Sequence, residues 1–423
     1  MLSAADNEAL TRVGPGTPMG DLMRRYWHPV LLSWELAEPD SDPLRVRVLG
    51  EDLVAFRDTS GRVGLLSEWC AHRLTSLFLG RNEEGGLRCV FHGWKYDVDG
   101  RCVDMPNEPA EFDFKHKVKV THYPTVEMGG VIWAYLGPKE LRPPDPQFEF
   151  TKQPETHRHA SKVVQESNWL QGLEGGIDSV HSSFLHRSFN GTDYGLDGLR
   201  ARATASKLEV EPTGYGYRYT STRALPGEDR NYIRAYHWVM PHVQIRAAQL
   251  NADGSWRKFV INGHHWVPID DENTMVWNWT YSLDDPLNEE ERVQRHSGND
   301  PGAVDQTTFR SFRNRRNDWN IDRELQRKEN FTGIFGINAQ DRAVQEAMGP
   351  ISNRTQEHLG QTDRAIIMAR KLLLQAVRTV QDGGTPPSVD AAYGNLRAIE
   401  EVLPSGVRGL NALHDKMYAC VGA

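Results

Sequence analysis

The chain has 423 residues, 39% hydrophobic and 25% charged, a formal net charge of −8, and 12 Trp, 13 Tyr and 14 Phe. That length favours two domains over one core, the aromatic content excludes a disordered or collagen-like chain, no apolar run approaches the ~18–20 residues of a membrane-spanning helix, and the negative charge argues against nucleic acid or an anionic membrane as partner. Four cysteines at this length do not make a disulfide scaffold, and the first residues lack a basic segment followed by an apolar one, so a cytoplasmic protein is expected, in which paired Cys and His residues suggest metal.

Residues 1–26 read as a helical N-terminal arm, with Asp21, Leu22 and Met23 after a Gly-Thr-Pro turn and before Arg24 and Arg25. From Val30 to about Gly137 the pattern is β. Leu44 to Leu49 alternates with period two, Val54 to Phe56 follows a Gly-Glu-Asp turn, and Val131 to Leu136 closes the block. Pro138 to Pro146 holds four prolines and reads as a linker. The predicted domains are therefore 27–145 and 146–423.

In the second part, residues 166–189 read as helix with a break. Residues 205–283 return to strands, including Tyr215 to Tyr219, Val243 to Arg246 and Thr274 to Thr280, and Asp270 to Asn273 is a hairpin turn. From Asn288 on the pattern is mostly helical. It is clearest over Asp363 to Val380, where Ile366, Leu373, Val377 and Val380 share a face. The predicted class is α+β, a small all-β domain followed by an α+β domain.

The β block contains Cys70-Ala-His72 and, sixteen residues on, Cys89-Val-Phe-His92. Each half offers one thiolate and one imidazole from a short loop, a set that suits one tetrahedral zinc or a two-iron cluster. The single residue between Cys70 and His72 is tighter than zinc-finger spacing. No recognition helix follows, and His92-Gly-Trp94 would pack beneath a solvent-facing cofactor. Cys102 reads as a core thiol, and Cys420 as incidental. The second constellation is Asp178-Ser-Val-His181-Ser-Ser-Phe-Leu-His186. On a regular helix Asp178 and His181 share a face. His181 and His186 are ~140° apart and cannot converge on one ion without a kink, a π-bulge or a helix end between them.

The two Cys-His loops resemble those of Rieske [2Fe–2S] proteins, in which two His replace two Cys on one iron. By that resemblance Cys70 and Cys89 bind one iron, and His72 and His92 the other. Arg73 matches the family's Cys-Pro-His-Arg loop, whereas Ala71 departs from its proline and Leu74-Thr75 from its Gly-Ala. The Asp-x-x-His-x-x-x-x-His motif is similar to that of Rieske oxygenases. It assigns His181 and His186 to a mononuclear Fe(II) with open positions for O₂ and substrate. It makes Asp178 the electron bridge to the Rieske histidine of a neighbouring subunit. The family's carboxylate ligand lies far downstream, and Asp341 in Gln340-Asp341-Arg-Ala-Val-Gln-Glu346 matches it. Glu346 and Asp363 remain alternatives, and a helix N-cap is the plain structural role for Asp341.

Asp104 to Pro109, Leu173 to Asp178 and Met348 to Ile351 look like the phthalate dioxygenase branch. This implies a helix-grip, START-like antiparallel-sheet catalytic domain, an α subunit alone in trimers or stacked-trimer hexamers, and an aromatic carboxylate substrate. The reaction implied is cis-dihydroxylation, or alternatively oxidative O-demethylation of a methoxylated lignin-derived acid. With no flavin or nicotinamide fingerprint in the chain, electrons are expected from a separate NAD(P)H-dependent flavin and ferredoxin-type reductase. A carboxylate calls for a cation in the pocket. Arg246, Arg202 and Lys207 are candidates, with Ser179 and Ser182 as hydrogen-bond donors. His237, His242, His264 and His265 are further candidates, of which the last two must face opposite ways. A non-catalytic Rieske carrier or a zinc-binding protein is the rival class, and it leaves the second constellation without a purpose.

Overall fold

The computed structural model of the protein describes residues 2–190, 195, 197–293, 295–390 and 392–419; Cys420 lies outside the described residues. The predicted arm is two short helices, α1 (Ala4–Thr11) and α2 (Pro18–Met23). The hydroxyls of Ser3 and Thr17 cap them by accepting from the N–H three residues on, and Pro18 takes the first helical position, where no N–H is needed.

The β block comprises β1 (Trp27–Leu32), β2 (Leu44–Val48), β3 (Glu51–Arg57), β4 (Val63–Ser67), β5 (Arg81–Glu83), β6 (Gly86–Arg88), β7 (Lys95–Tyr96), β8 (Cys102–Asp104), β9 (Thr125–Met128) and β10 (Val131–Tyr135). They form three antiparallel sheets, β1-β10-β9, β2-β3-β4 and β5-β6-β7-β8. Phe56, Leu66, Leu77, Leu87 and Tyr96 make a separate small core here, with Cys70, Cys89 and Cys102 at its edge.

The second part contains β11 (Arg158–Gln165), α3 (Trp169–Ile177), α4 (Leu199–Arg202), β12 (Lys207–Thr213), β13 (Gly216–Ala224), β14 (Arg230–Val239), β15 (Val243–Ala247), β16 (Val260–Pro268), β17 (Thr274–Ser282), α5 (Glu289–Val293), α6 (Arg323–Lys328), α7 (Ile337–Ala347), α8 (Arg364–Gln381), β18 (Ile399–Pro404) and α9 (Gly409–Ala412). One eight-stranded antiparallel sheet runs β11-β17-β16-β15-β14-β13-β12, with β18 pairing the first half of β14. Two strands depart from the sequence reading. The segment after Asn288 is not mostly helical: long loops separate its helices, and it contributes the strand β18, where Glu400 and Glu401 interrupt the apolar run. β11 is hidden by its Lys162, which is buried against Glu35.

The two faces of this sheet have different neighbours. On one, Tyr217 donates to the Ala365 carbonyl at 2.9 Å and Tyr219 to the Ile177 carbonyl at 3.2 Å, so α8 and α3 pack there. Trp266 lies flat against α3 because Gly172 and Gly176 have no side chain. A Cβ at either would fall 2.3 or 2.1 Å from the indole. On the opposite face, His265 and Lys162 meet the β block, and Trp279 meets the segment that follows it. Trp133 lies 5.4 Å from His265, Phe150 stacks on Trp279 at 4.8 Å, and Lys162 pairs with Glu35 at 2.6 Å. The main apolar core runs continuously through both parts. Among the described residues no helix is long and apolar enough to cross a membrane.

Candidate metal centres

The two Cys-His loops are built alike. The Cys70 N–H donates to the Thr75 carbonyl (2.9 Å), and Leu74 N–H returns to Cys70 O (2.9 Å). In the second loop Cys89 N–H donates to Trp94 O (2.8 Å), and Gly93 N–H returns to Cys89 O (3.0 Å). The fourth residue after each cysteine has positive φ, +56° at Leu74 and +83° at Gly93, so both turns fold back on the same left-handed residue. The loops bring two thiols together and two imidazoles together. Cys89 has its thiol pushed up by burial and by the neighbouring Cys70. The His72 and His92 rings stand 4.4 Å apart, with Trp94 stacked under His72 at 4.5 Å. Cys70 and Cys89 are buried free thiols, and the buried Nδ1 of His72 has no hydrogen-bond partner among the described residues. A thiol pair beside an imidazole pair, with an orphaned ring nitrogen, fits a two-iron cluster with unlike ends. Cys102 bonds the Asp104 carbonyl at 3.3 Å and serves the core.

The second centre is made by a helix end. Asp178 is the C-cap of α3, in extended conformation (φ −62°, ψ 113°), and a single 3₁₀ turn at His181–Ser183 follows. The required interruption therefore begins at Asp178, ahead of both histidines, and Asp178 and His181 share no helix. The bend brings the two rings to 5.0 Å, nearly perpendicular. Asp341 comes from α7 across the site, with Oδ1 3.5 Å from His181 Nε2 and 3.3 Å from His186 Nε2. One donor atom from each of the three lies within 4.8 Å of the others, a spacing that fits one ion held on a single face. Burial works against the charge of Asp341, but the His186 and His181 imidazoles, with Arg246 beyond, hold its carboxyl far below the ordinary range. Asp341 lies in the second turn of α7, whose N-cap is Gly336, so the N-cap role does not apply. Glu346 instead accepts from the Glu166 N–H and the Trp319 indole, and Asp363 from the Gly360 N–H at the start of α8. Asp178 itself accepts from the Val180 N–H at 2.7 Å, and its second oxygen faces His181 Nδ1 at 3.6 Å.

Comparison with known proteins agrees with both centres. Residues 26–124 match the Rieske [2Fe-2S] domain family, and residues 134–405 the family described as LigXa C-terminal domain like. The chain is 41% identical to the 3-chlorobenzoate-3,4-dioxygenase oxygenase subunit of Comamonas testosteroni, over 93% of each chain. It is 38% identical to the phthalate 4,5-dioxygenase oxygenase subunit of Pseudomonas putida, over 98% of this chain and 93% of that one. The chain belongs to the Rieske non-haem iron oxygenases, in their phthalate dioxygenase-like branch. Its cofactors are accordingly a Rieske [2Fe–2S] cluster and a mononuclear iron. The solved structure of Pseudomonas putida CBB5 NdmA with caffeine shares the fold, with a TM-score of 0.62 at 20% identity over 91% of this chain and 98% of that one.

In this Rieske oxygenase a cavity of about 750 Å³ opens beside the His181–His186 pair. Its sheet wall is the helix-bearing face and includes Tyr236, Gln244, Arg246 and Asn262. Arg246 lines it as expected and donates to His264 Nε2 at 2.9 Å. Ser179 and Ser182 line it too, and the Ser179 hydroxyl lies 2.9 Å from that of Tyr236. Arg202 and Lys207 do not line it: Arg202 pairs with Glu228, and Lys207 is exposed at the start of the edge strand β12. None of His237, His242, His264 and His265 lines it among the described residues. His264 supports Arg246, His265 faces the β block, His242 bonds His28, and His237 bonds Tyr215. Three cations escaped the sequence reading, Arg200, Arg234 and Arg257. Arg200 and Arg234 line the cavity, and both turn to Glu400 of β18, at 3.5 and 3.3 Å.

Proposed function

We propose that this chain is the terminal oxygenase of a multicomponent system that cis-dihydroxylates an aromatic carboxylate of the phthalate or benzoate type. The observation that carries the reading is the cavity beside His181, His186 and Asp341, whose lining includes the guanidinium groups of Arg200, Arg234, Arg246 and Arg257. Arg246 stands close enough to Asp341 and His181 for its charge to be felt by both. It is the proposed anchor for a substrate carboxylate beside the iron, with Ser179 as a neighbouring donor. Arg200 and Arg234 are turned to the buried Glu400, and Asp178, Glu290, Glu291 and Glu329 also line the cavity, which leaves Arg246, beside the iron ligands, as the cation best placed for the substrate. When bound, the cluster supplies electrons one at a time, and the iron supplies open positions where O₂ meets the substrate. The protein's part is to hold Cys70, Cys89, His72 and His92 as one ligand set and His181, His186 and Asp341 as the other. The proposed domains are 1–26, 27–145 and 146–423.

The cavity and the chain's own cluster domain lie on opposite faces of the eight-stranded sheet, which supports electron delivery from a neighbouring copy. Asp178 is the proposed bridge. It is part-exposed and backs His181, and among the described residues it contacts neither His72 nor His92. Two exposed apolar rims fit such an assembly, Leu74, Val90 and Phe91 around the cluster loops and Phe184, Phe331 and Phe335 around the iron site. A trimer or a stacked-trimer hexamer, served by a separate NAD(P)H-dependent flavin and ferredoxin-type reductase in the cytoplasm, completes the proposal. The test is a screen of aromatic acids with a surrogate reductase, reading O₂ uptake and product. A cis-diol is expected. Formaldehyde from a methoxylated acid would replace the reading by demethylation. Metal analysis should find three irons per chain, and His181→Ala or Asp341→Ala should lose the third while keeping the Rieske spectrum.

A further inference from the structure

The geometry points to Gln340 as a positioning residue that fixes the tautomer of His186 and so sets how tightly the site holds iron. The inference rests on His186 as an iron ligand. Both side chains are buried, each 4% exposed. The Gln340 amide nitrogen donates to the Ile334 carbonyl at 2.9 Å, a group that only accepts, so the amide cannot be turned round without losing that bond. Its oxygen therefore faces His186, 2.8 Å from Nδ1. An amide oxygen only accepts, so Nδ1 carries the proton and the neutral ring offers its lone pair from Nε2. Nε2 is the atom that lies 3.3 Å from Asp341. Consecutive residues of α7 thus grip the two nitrogens of one imidazole from opposite sides. His181 is backed differently, by the carboxylate of Asp178 at 3.6 Å. A carboxylate behind a ligand ring raises its basicity, whereas an amide orients it without adding charge. The two histidines are thereby made unequal, His181 on the charged route toward Asp178 and His186 as a neutral anchor.

The test uses the full-length protein with its cluster intact. The mononuclear iron is removed with a chelator, and the site is titrated with Fe(II) and with Co(II), whose visible absorption reports ligand geometry. Gln340→Leu removes the acceptor, and Gln340→Glu keeps an acceptor while losing the donor to Ile334. Gln340→Leu is expected to weaken binding of both ions by about 10–100-fold and to alter the Co(II) spectrum, with the Rieske spectrum unchanged. Gln340→Glu is expected to bind at least as tightly as wild type. Gln340→Ala is read in the same way if the Leu variant does not fold. Wild-type affinity and spectrum in the Leu or Ala variant would overturn the role. So would equal losses in the Leu and Glu variants, which would mark Gln340 as a tie to Ile334 alone. His186→Ala runs in parallel: metal retained there overturns the ligand reading itself, whereas metal lost there but kept in Gln340→Leu overturns only the part given to Gln340.

Discussion

His265 is buried between Trp133 and Phe148, with His242 5.7 Å away, and neither of its ring nitrogens has a hydrogen-bond partner among the described residues. Burial, with a smaller contribution from nearby His28, pushes its pKa down to about 3. The folded protein therefore keeps it neutral, while the unfolded chain protonates it near pH 6.5. Stability from this group is complete above about pH 6.5 and is lost as pH falls toward 3, because the unfolded state binds the extra proton. At pH 5 the loss is about 2 kcal/mol relative to pH 8, approaching a slope of about 1.4 kcal/mol per pH unit. His265→Phe removes that slope. It also removes two unpaired polar atoms, for a gain of about 1–3 kcal/mol at neutral pH. The larger ring has room in a cavity of about 20 Å³ lined by His265, Phe148 and Tyr393. Urea unfolding from pH 5 to 8 checks this: the variant should be more stable throughout and take up about one proton fewer on unfolding at pH 5. A variant less stable at pH 8, or as steep in pH as wild type, would refute the reasoning.

Asp178→Asn should leave both metal sites loaded yet slow single-turnover reoxidation of the cluster by about 10–100-fold, because the amide has no charge to accept from an imidazole on each side; wild-type reoxidation would make Asp178 a helix cap only. Glu174 of α3 is bonded by Arg354 at 2.9 Å and Arg370 at 2.6 Å, both arginines buried. Glu174→Gln should cost about 3–5 kcal/mol in thermal or urea unfolding by leaving buried positive charge in excess; a loss below about 1 kcal/mol would mean that the network is hydrated. Leu74→Gly relieves a left-handed leucine in the first cluster loop and should stabilise the protein by about 1 kcal/mol with the Rieske spectrum unchanged. A fall in melting temperature would mean that the exposed leucine packs in the assembled protein.

The candidate ligand pairs were legible because each lies close along the chain: Cys70 with His72, Cys89 with His92, and His181 with His186, with Asp178 just ahead of them. Asp341 needed the resemblance, since nothing local ties α7 to α3. The helix break was expected but misplaced, because Asp178 was read as a helical residue when it is the cap. The candidate substrate cations divided by strand position and partner. Arg246 falls on the cavity face, whereas Lys207 begins an exposed edge strand. Arg200 and Arg234 were hidden because their orienting partner, Glu400, sits in a strand whose apolar run is interrupted by Glu400 and Glu401. The four strand histidines are chemically plausible pocket residues, and only three-dimensional register separates His264, behind Arg246, from His265, under the β block.

The eight-stranded sheet has a genetic consequence. With the cluster domain against one face and the iron cavity on the other, the proposed route leaves each chain's two metal sites to work with a neighbour's and not with one another. A lesion in Cys89 and a lesion in His186 therefore damage different partnerships. Two chains, each dead alone, can restore a working pair at one junction of a mixed assembly, and the same two lesions placed in one chain cannot.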